Sequence, residues 1–457
     1  MRWPEPPGLR PLRMERIAVV APRQALRRVL RLVGRAGCVE LDAAPGSGAP
    51  DTEVADGTAP PDGTALDDVL AAALGPSQVA AVLGWAPAVR VGELNTRLAP
   101  LGGAVVPLNA PPGRIPPTLL AAGAPGRSFD LLVETYATVP YADVAPTLVA
   151  GLAYAVMFGV MFGDAGHGLL LVAVALLLRA GHLPYARSPR VRRAWPFLAG
   201  GGVVSIVTGL LYGELFGPTG VVPVLWLDPL AEPVRLLVFA VGAGAVLLAG
   251  AYAIGVVNRV REGGWGYALY APTGVAGALL FLGLGCVAAG TIAVGAWLVA
   301  AGAVLAVAAL ALAFIGLLAA STGGGAGVVQ AVVELVDLVV RLGSNVVSFA
   351  RLAAFGLTHA ALTTLVWNAT TALWRPGPAA IAAVLVLVVG NLLTLALESV
   401  VAGIQALRLE YYELFSRIFT TSGRPFRPWR LAPAPDAPEP DAPEPDADSP
   451  ALRQEAS

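Results

Sequence analysis

The strongest constraint in this sequence is a nearly continuous run of apolar residues from position 146 to position 419. A helix needs about 20 apolar residues to cross the hydrocarbon core of a bilayer. Seven stretches reach that length: 148–178, 197–216, 236–257, 268–289, 292–318, 328–373 and 379–419. The whole chain is 56% hydrophobic and 13% charged, whereas soluble domains average about 45–50% and about 25%. The sequence therefore predicts a mainly α, multi-pass integral membrane protein.

The charged residues predict how these segments are oriented. All 30 cationic side chains are arginine, so a Walker A phosphate loop and lysine Schiff-base chemistry are excluded, and we expect no nucleotide-hydrolysing site. Arginines follow the first and third stretches, at Arg179, Arg187, Arg190, Arg192, Arg193, Arg259 and Arg261. By the positive-inside rule both loops are cytoplasmic, as is the arginine-rich N-terminal region.

A single span cannot begin and end on the same side of the membrane. We therefore expect the first stretch to turn back at positions 163–168, where the sequence is Gly-Asp-Ala-Gly-His-Gly. Eight transmembrane segments result, with both termini in the cytoplasm.

Composition divides the chain into five parts. Residues 1–115 are expected to form a small cytoplasmic α/β domain with a disordered linker at 42–64, and 116–145 connect it to the membrane. Residues 146–327 hold the first six segments, 328–419 form two long helices, and 420–457 form a disordered cytoplasmic tail. At about 1.5 Å rise per residue, the helix at 328–373 would be about 70 Å long, so we expect it to tilt strongly.

Each of the two long segments carries polar residues every seven positions. The first set is Asp337, Ser344, Arg351 and Thr358, and the second is Asn391, Glu398, Gln405 and Tyr412. On a helix this spacing places each set on one stripe. A charge at membrane depth costs at least about 2.5–3.5 kcal/mol, so these groups need partners or water. Arg351 and Glu398 could simply pair to fix helix packing, but a lone pair leaves the other polar groups unexplained. The stripes are typical of the walls of an aqueous pathway.

Several sequence runs resemble those of the membrane stator subunit of rotary V-type and A-type ATPases, called subunit a or subunit I. The matching runs are 117–120, 132–136, 141–147, 157–168, 209–217, 344–359 and 405–417, and they cover about residues 116–430 in order and spacing. The run at 157–168 is Met-Phe-Gly-Val-Met-Phe-Gly-Asp-Ala-Gly-His-Gly. Gly84-Trp85-Ala86-Pro87 also resembles an element of that family's cytoplasmic domain.

The resemblance implies a stator that forms offset ion half-channels against a ring of proteolipid subunits. It assigns the essential ring-facing arginine to Arg351 and its partner to Arg408. It also implies half-channel positions for Asp337, His359, Glu398 and Gln405. Ser344 is included because it lies on the same stripe as Asp337 and Arg351. Asp164 and His167 are about as well explained by a structural turn as by a channel lining.

The expected partners are the proteolipid ring, the central and peripheral stalk subunits and membrane lipid, with no nucleic acid, cofactor or metal. Gln405 fits the prokaryotic branch of this family, because eukaryotic members often have histidine at that position. We therefore expect a prokaryotic plasma membrane. One departure concerns the stalk contact, because only the linker and one short helix at 66–74 stand where the family has a long coiled coil. Two other functions remain open: a secondary transporter, although the two halves show no repeat, and a non-translocating assembly or anchoring relative. The sequence does not distinguish H⁺ from Na⁺.

Overall fold

In the computed structural model the chain forms two units, each described by itself. The described residues are 11–42, 64–71, 73–74, 78–110, 115–119, 140–141, 143, 147–182, 188, 191–192, 194–321, 323–419 and 423–431. Positions 43–63 of the predicted linker, most of the predicted connector and positions 432–457 of the predicted tail lie outside them.

The smaller unit is an antiparallel four-stranded sheet with helices. Its elements are β1 (Met14–Pro22), α1 (Arg23–Ala36), β2 (Glu40–Leu41), α2 (Thr64–Ala71), β3 (Val79–Pro87), α3 (Ala88–Leu98) and β4 (Ala104–Leu108). The strand order is β2-β3-β1-β4. Leu26, Leu30 and Val33 of α1 are buried, and α1 ends at Gly37, whose left-handed φ of 54° suits glycine. The small α/β fold expected near the N-terminus is therefore present.

A C-terminal segment completes this unit. The amide of Phe426 donates to the carbonyl of Thr118 at 3.0 Å, and the amide of Trp429 donates to the carbonyl of Val39 at 2.8 Å. Trp429 and Leu431 pack against the same core. Part of the predicted tail thus has defined contacts, because its apolar side chains cover the core beside α1.

The larger unit is helical. Its main helices are α4 (Thr147–Met161), α5 (Ala165–Ala180), α6 (Trp195–Tyr212), α7 (Pro233–Tyr270), α8 (Val275–Ala289), α9 (Ala296–Ala320), α10 (Gly324–Ser348), α11 (Ala350–Leu373) and α12 (Pro378–Leu409). Within the described ranges, five segments are long and apolar enough to cross a membrane: α6, α7, α8 continued to Ile292, α9, and α12 continued to Ile418. Helices α4 and α5 are apolar but shorter. The chain is a multi-pass membrane protein, but the predicted number of eight spans is not confirmed.

The first stretch breaks between Met161 and Ala165, at the predicted polar insert. Two other predicted segments differ in their boundaries. The single helix predicted at 328–373 is two helices, α10 and α11, that meet at buried Phe349. The loop predicted after the third stretch is wrong at Arg259, because α7 runs past this residue to a kink at Gly264, where φ is 77°, and the Arg259 side chain is completely buried.

Arg259 is held by two carboxylates. Its guanidinium lies 2.6 Å from Glu262 and 3.9 Å from Asp143, and the side chains of Arg259 and Asp143 are fully buried. Asp143 precedes the first membrane helix. Burial, with a smaller contribution from the negative charge of Glu262, raises the pKa of Asp143 to about 7. The folded state therefore binds a proton at Asp143 that the unfolded chain, with an ordinary aspartate pKa of about 3.9, releases.

We predict that the stability of the folded chain falls as the pH rises and that Asp143→Asn makes this fall smaller. Because the folded pKa is raised, the contribution of Asp143 is fully present below about pH 4 and is lost as the pH rises to about 7. The apparent unfolding temperature of the purified chain in detergent should fall over this range, and Asp143→Asn should reduce the fall. Parallel pH profiles for the two proteins would contradict this origin.

Glycines allow the turn after α4 to approach α6. A Cβ atom added to Gly209 would lie 2.1 Å from the backbone nitrogen of Ala165 and 2.5 Å from the carbonyl carbon of Asp164. These contacts are with backbone, so the clash cannot be relieved by rotating a side chain. Glycine at 209 is therefore what lets α6 support the turn.

We predict that Gly209→Ala destabilises the folded chain by about 1–3 kcal/mol, the usual range for overpacking. Gly242→Ala in α7 is a matched control, because an added Cβ there meets no atom within 4 Å. The control should have unchanged or slightly raised stability, since alanine favours a helix over glycine by about 0.8–1.0 kcal/mol. Thermal unfolding in detergent measures both, and equal effects would refute the close-approach explanation.

Candidate functional site

The turn between α4 and α5 is organised by the carboxylate of Asp164. One oxygen accepts the amide of His167 at 2.9 Å and the amide of Phe216 at 3.0 Å, and the other accepts the amide of Gly217 at 2.8 Å. Asp164 thus caps the N-terminus of α5 and fastens it to the loop after α6. The side chain is fully buried, and charge-assisted hydrogen bonds of this kind are strong.

The loop after α6 is strained where it meets Asp164. Phe216 has a φ of 54°, and no other described non-glycine residue has a positive φ. A left-handed conformation costs such a residue about 1–2 kcal/mol. The hydrogen bond from the Phe216 amide to Asp164 offsets that cost, so the loop conformation depends on the carboxylate.

His167, in the first turn of α5, is buried among aromatic rings and another histidine. Its ring is 5.7 Å from that of Phe162, 5.5 Å from that of Phe216 and 5.5 Å from that of His359. Its Nδ1 lies 3.8 Å from a carboxylate oxygen of Asp164. Neither ring nitrogen makes a hydrogen bond with a residue in the described part of the chain.

The two long C-terminal helices meet at a buried histidine and glutamate. His359 on α11 contacts the carboxylate of Glu398 on α12 through Nδ1, while its Nε2 has no hydrogen-bond partner among the described residues. The side chains of His359 and Glu398 are 2% and 10% exposed. A cavity of about 200 Å³ reaches both and is otherwise lined mainly by apolar groups. The structure therefore brings Asp164, His167, His359 and Glu398 into one buried polar cluster.

The stripe on α10 and α11 has a different environment. Asp337 and Arg341 form an exposed ion pair at 2.6 Å, and Ser344 and Thr358 are also exposed. Arg351 is half-buried, and its guanidinium forms no ion pair within the described ranges. Most of these polar groups thus lie at the surface of the unit. The first stripe ends at Thr358, which precedes His359 of the buried cluster.

The second stripe turns inward over half of its length. Asn391 and Glu398 are buried, Gln405 is half-buried, and Tyr412 is exposed. Arg408 is exposed as well. The two stripes therefore do not face each other over their whole length, as walls of one pathway would.

Two acidic residues that the sequence analysis did not single out lie near the predicted arginines. Glu413 interacts electrostatically with Arg351 and Arg408, and Glu410 is fully buried. Both belong to a π-helical turn, Glu410–Phe415, that follows α12. The seven-residue spacing of an α-helix does not apply within a π-helix, so these residues fall outside the predicted stripe. Glu214, which follows the end of α6, is also buried, and its backbone carbonyl accepts the amide of Ala165.

We predict that Asp164→Asn destabilises the chain by about 1–3 kcal/mol, because the amide nitrogen of asparagine cannot accept a backbone hydrogen bond. Asp228→Asn is the matched control. Asp228 also accepts two backbone amides, from Leu230 and Ala231, but both bind the same oxygen, Oδ1, which asparagine retains, so this variant should keep its stability. Thermal unfolding of both variants tests the difference. Equal losses would mean that the hydrogen bonds to both oxygens of Asp164 are unimportant.

Comparison with known proteins identifies the relatives of this chain. Residues 79–220 match the model of the V-type ATPase 116kDa subunit family. The chain is 29% identical to the A-type ATP synthase subunit I of Aeropyrum pernix, over 66% of this chain and 50% of that protein. It is 27% identical to the A-type ATP synthase subunit I of Methanocaldococcus jannaschii, over 66% of this chain and 47% of that protein.

A eukaryotic protein matches a shorter region. The V-type proton ATPase 116 kDa subunit a 2 of Mus musculus is 31% identical over 29% of this chain and 17% of that protein. The chain spans about half the length of the archaeal relatives that it matches. The matched family region includes Asp164 and His167. Residues 79–220 therefore resemble the V-type ATPase 116kDa subunit family, and about two thirds of the chain is similar to A-type ATP synthase subunit I proteins.

Proposed function

We propose that this chain is the membrane stator subunit of a rotary V/A-type ATPase, and that it couples rotation of a proteolipid ring to proton transport through two offset half-channels. The named relatives are subunits of A-type ATP synthases and of a V-type proton ATPase, which supports this assignment. Its partners would be the ring, the central and peripheral stalk subunits and membrane lipid. The proposed location is a prokaryotic plasma membrane, with both termini in the cytoplasm.

The observation that carries the proposal is the half-buried guanidinium of Arg351 on α11, which interacts electrostatically with Glu413 but forms no ion pair among the described residues. Within the described ranges it has no carboxylate in ion-pair distance, and one of its terminal nitrogens is buried without a hydrogen bond. A cation at membrane depth costs at least about 2.5–3.5 kcal/mol. A carboxylate supplied by another subunit would offset that cost, and a rotor proteolipid supplies one at each step of rotation.

Arginine suits this role because its pKa stays above about 12, so it remains cationic when it is partly desolvated. An ionised rotor acid is attracted to it, whereas protons cannot pass a fixed guanidinium between the two half-channels. Protons must then travel on the ring. Lysine would be a poorer choice, since desolvation lowers the pKa of its ammonium group.

The buried cluster supplies groups for proton transfer on one side of Arg351. His359 and Glu398 are in contact and adjoin a cavity, so a proton can be exchanged between imidazole and carboxylate. In this proposal Glu398 is the relay acid, and His359 with Gln405 borders the same path. Asp337, Ser344 and Arg408 lie on exposed parts of the stripes and would border the ring. Asp164 and His167 would position the cluster and line its inner wall.

We predict that Arg351→Ala abolishes ATP-driven proton pumping in membrane vesicles that contain the assembled ATPase. Arg375→Ala is the matched control, because Arg375 is an exposed arginine just beyond the end of α11, away from the cluster. It should leave pumping unchanged. Co-purification of the proteolipids checks assembly in both variants. Coupled pumping by assembled Arg351→Ala complexes would refute the proposal and favour a non-translocating assembly relative.

We predict a separate effect for Glu398→Gln. The amide cannot bind and release a proton at physiological pH, so proton flux should fall while assembly is preserved. The same vesicles measure the flux, and a requirement for Na⁺ would identify sodium as the transported ion. Unchanged flux would show that the contact between His359 and Glu398 is only structural.

A further inference from the structure

We propose that Asp164, His167 and His359 form a binding site for a transition-metal dication of the Zn²⁺ type. The inference goes beyond the proposed function and does not depend on it, because it concerns metal binding by the chain itself. An ion bound at His359 would block the proton exchange proposed for His359 and Glu398, so the site would be inhibitory in the assembled ATPase. It rests on geometry, on unused ligand atoms and on charge.

The geometry places one ligand atom from each residue near a common point. The three atoms all lie within 4.8 Å of one another, and all three side chains are buried. The two imidazole rings meet edge to face, with centroids 5.5 Å apart and planes inclined at 77°. Zn²⁺ binds nitrogen at about 2.0–2.1 Å and carboxylate oxygen at about 2.0–2.2 Å, which separates neighbouring ligands by about 3.4 Å. Nδ1 of His167 and a carboxylate oxygen of Asp164 lie 3.8 Å apart, which is close to that separation.

The second shell resembles that of many metal sites. A metal-binding histidine usually donates its other ring N–H to a carboxylate, which fixes the tautomer and leaves a lone pair for the metal. Glu398 is that carboxylate for Nδ1 of His359, and the Nε2 atom of His359 is buried with no hydrogen bond in the described structure. The amides of His167, Phe216 and Gly217 hold the Asp164 carboxylate in the same way.

His167 gives an independent indication of a ligand. It is fully buried, and among the described residues neither ring nitrogen has a hydrogen bond of ordinary geometry, although the backbone of Asn391 lies close enough to interact with the imidazole. A buried polar group without a partner costs about 1–3 kcal/mol, which coordination of a metal would remove. One nitrogen already points toward Asp164, from which it is separated by 3.8 Å.

Charge balance favours a dication. Asp164 and Glu398 are both buried, and within the described ranges their ion-pair partners are the histidines His167 and His359 rather than arginines. Buried charges are normally paired or bound to metal ions. Two imidazoles and one carboxylate favour Zn²⁺ and similar ions over Mg²⁺ or Ca²⁺, which prefer oxygen ligands. A cavity adjoins one of the three ligands, His359, and the carboxylate that contacts it, Glu398.

The test is Zn²⁺ binding to the purified full chain in detergent, after chelator treatment and without a histidine tag. Metal analysis and calorimetric titration should give one Zn²⁺ per chain. His167→Ala and His359→Ala should each weaken binding at least tenfold, and Glu398→Gln about tenfold, as expected for second-shell changes. Co²⁺ in place of Zn²⁺ should give the visible absorption of a four-coordinate site with nitrogen ligands.

The chain offers matched controls. His182 is an exposed histidine outside the cluster, and Cys38 and Cys286 are free thiols that could bind Zn²⁺ elsewhere. His182→Ala and the double variant Cys38→Ser/Cys286→Ser should bind one Zn²⁺ as the wild type does. The proposal is overturned if the wild type binds less than stoichiometric Zn²⁺, or if either control loses the ion. It is also overturned if correctly folded His167→Ala and His359→Ala bind Zn²⁺ normally. The wild-type and control measurements decide the matter even if the cluster variants fail to fold.

Discussion

The hydrogen bonds of the Asp164 carboxylate determine the arrangement of the membrane unit around its polar cluster. Three amides from two separate segments converge on one buried side chain, and they fix the start of α5 against the strained loop after α6. Because Gly209 has no side chain, the turn can lie against α6. His167 is then held opposite His359, and the contact between His359 and Glu398 joins α11 to α12. Each step depends on the previous one, so a local cap has consequences for four helices.

At the surface of the helical unit, one charged pair is balanced and one arginine lacks an ion-pair partner among the described residues. Asp337 and Arg341 satisfy each other, whereas Arg351 forms no ion pair among the described residues. A membrane protein that keeps such a cation needs a compensating interaction, and under the proposed function a carboxylate from a neighbouring subunit would provide it. In that proposal Glu398 of the buried cluster passes its proton to the carboxylate held at Arg351, so the exposed stripe and the buried cluster belong to one path.

The sequence predicted the membrane class and the break at the polar insert. The length of the apolar runs and the positions of the arginines sufficed for these, because neither depends on how the helices pack. The sequence did not predict which residues of each stripe are exposed and which are buried, since that depends on how α11 and α12 pack. It also failed at Arg259, because an arginine that is buried by Asp143 and Glu262 has the same sequence signature as one in a loop. Glu413 was missed because a π-helical turn alters the register after α12.

The claim that the α10–α11 face meets a proteolipid ring can be measured most directly by cross-linking. In a background of Cys38→Ser/Cys286→Ser, Val347→Cys places a thiol one helical turn before Arg351, on a side chain that is 67% exposed. Val304→Cys on α9, where the side chain is 71% exposed, is the matched control. In native membranes a cross-linker that reacts with a thiol and a carboxylate should join Val347→Cys, and not Val304→Cys, to a small carboxylate-bearing proteolipid. Cross-linking of both positions to the same extent, or of neither to a proteolipid, would contradict the account.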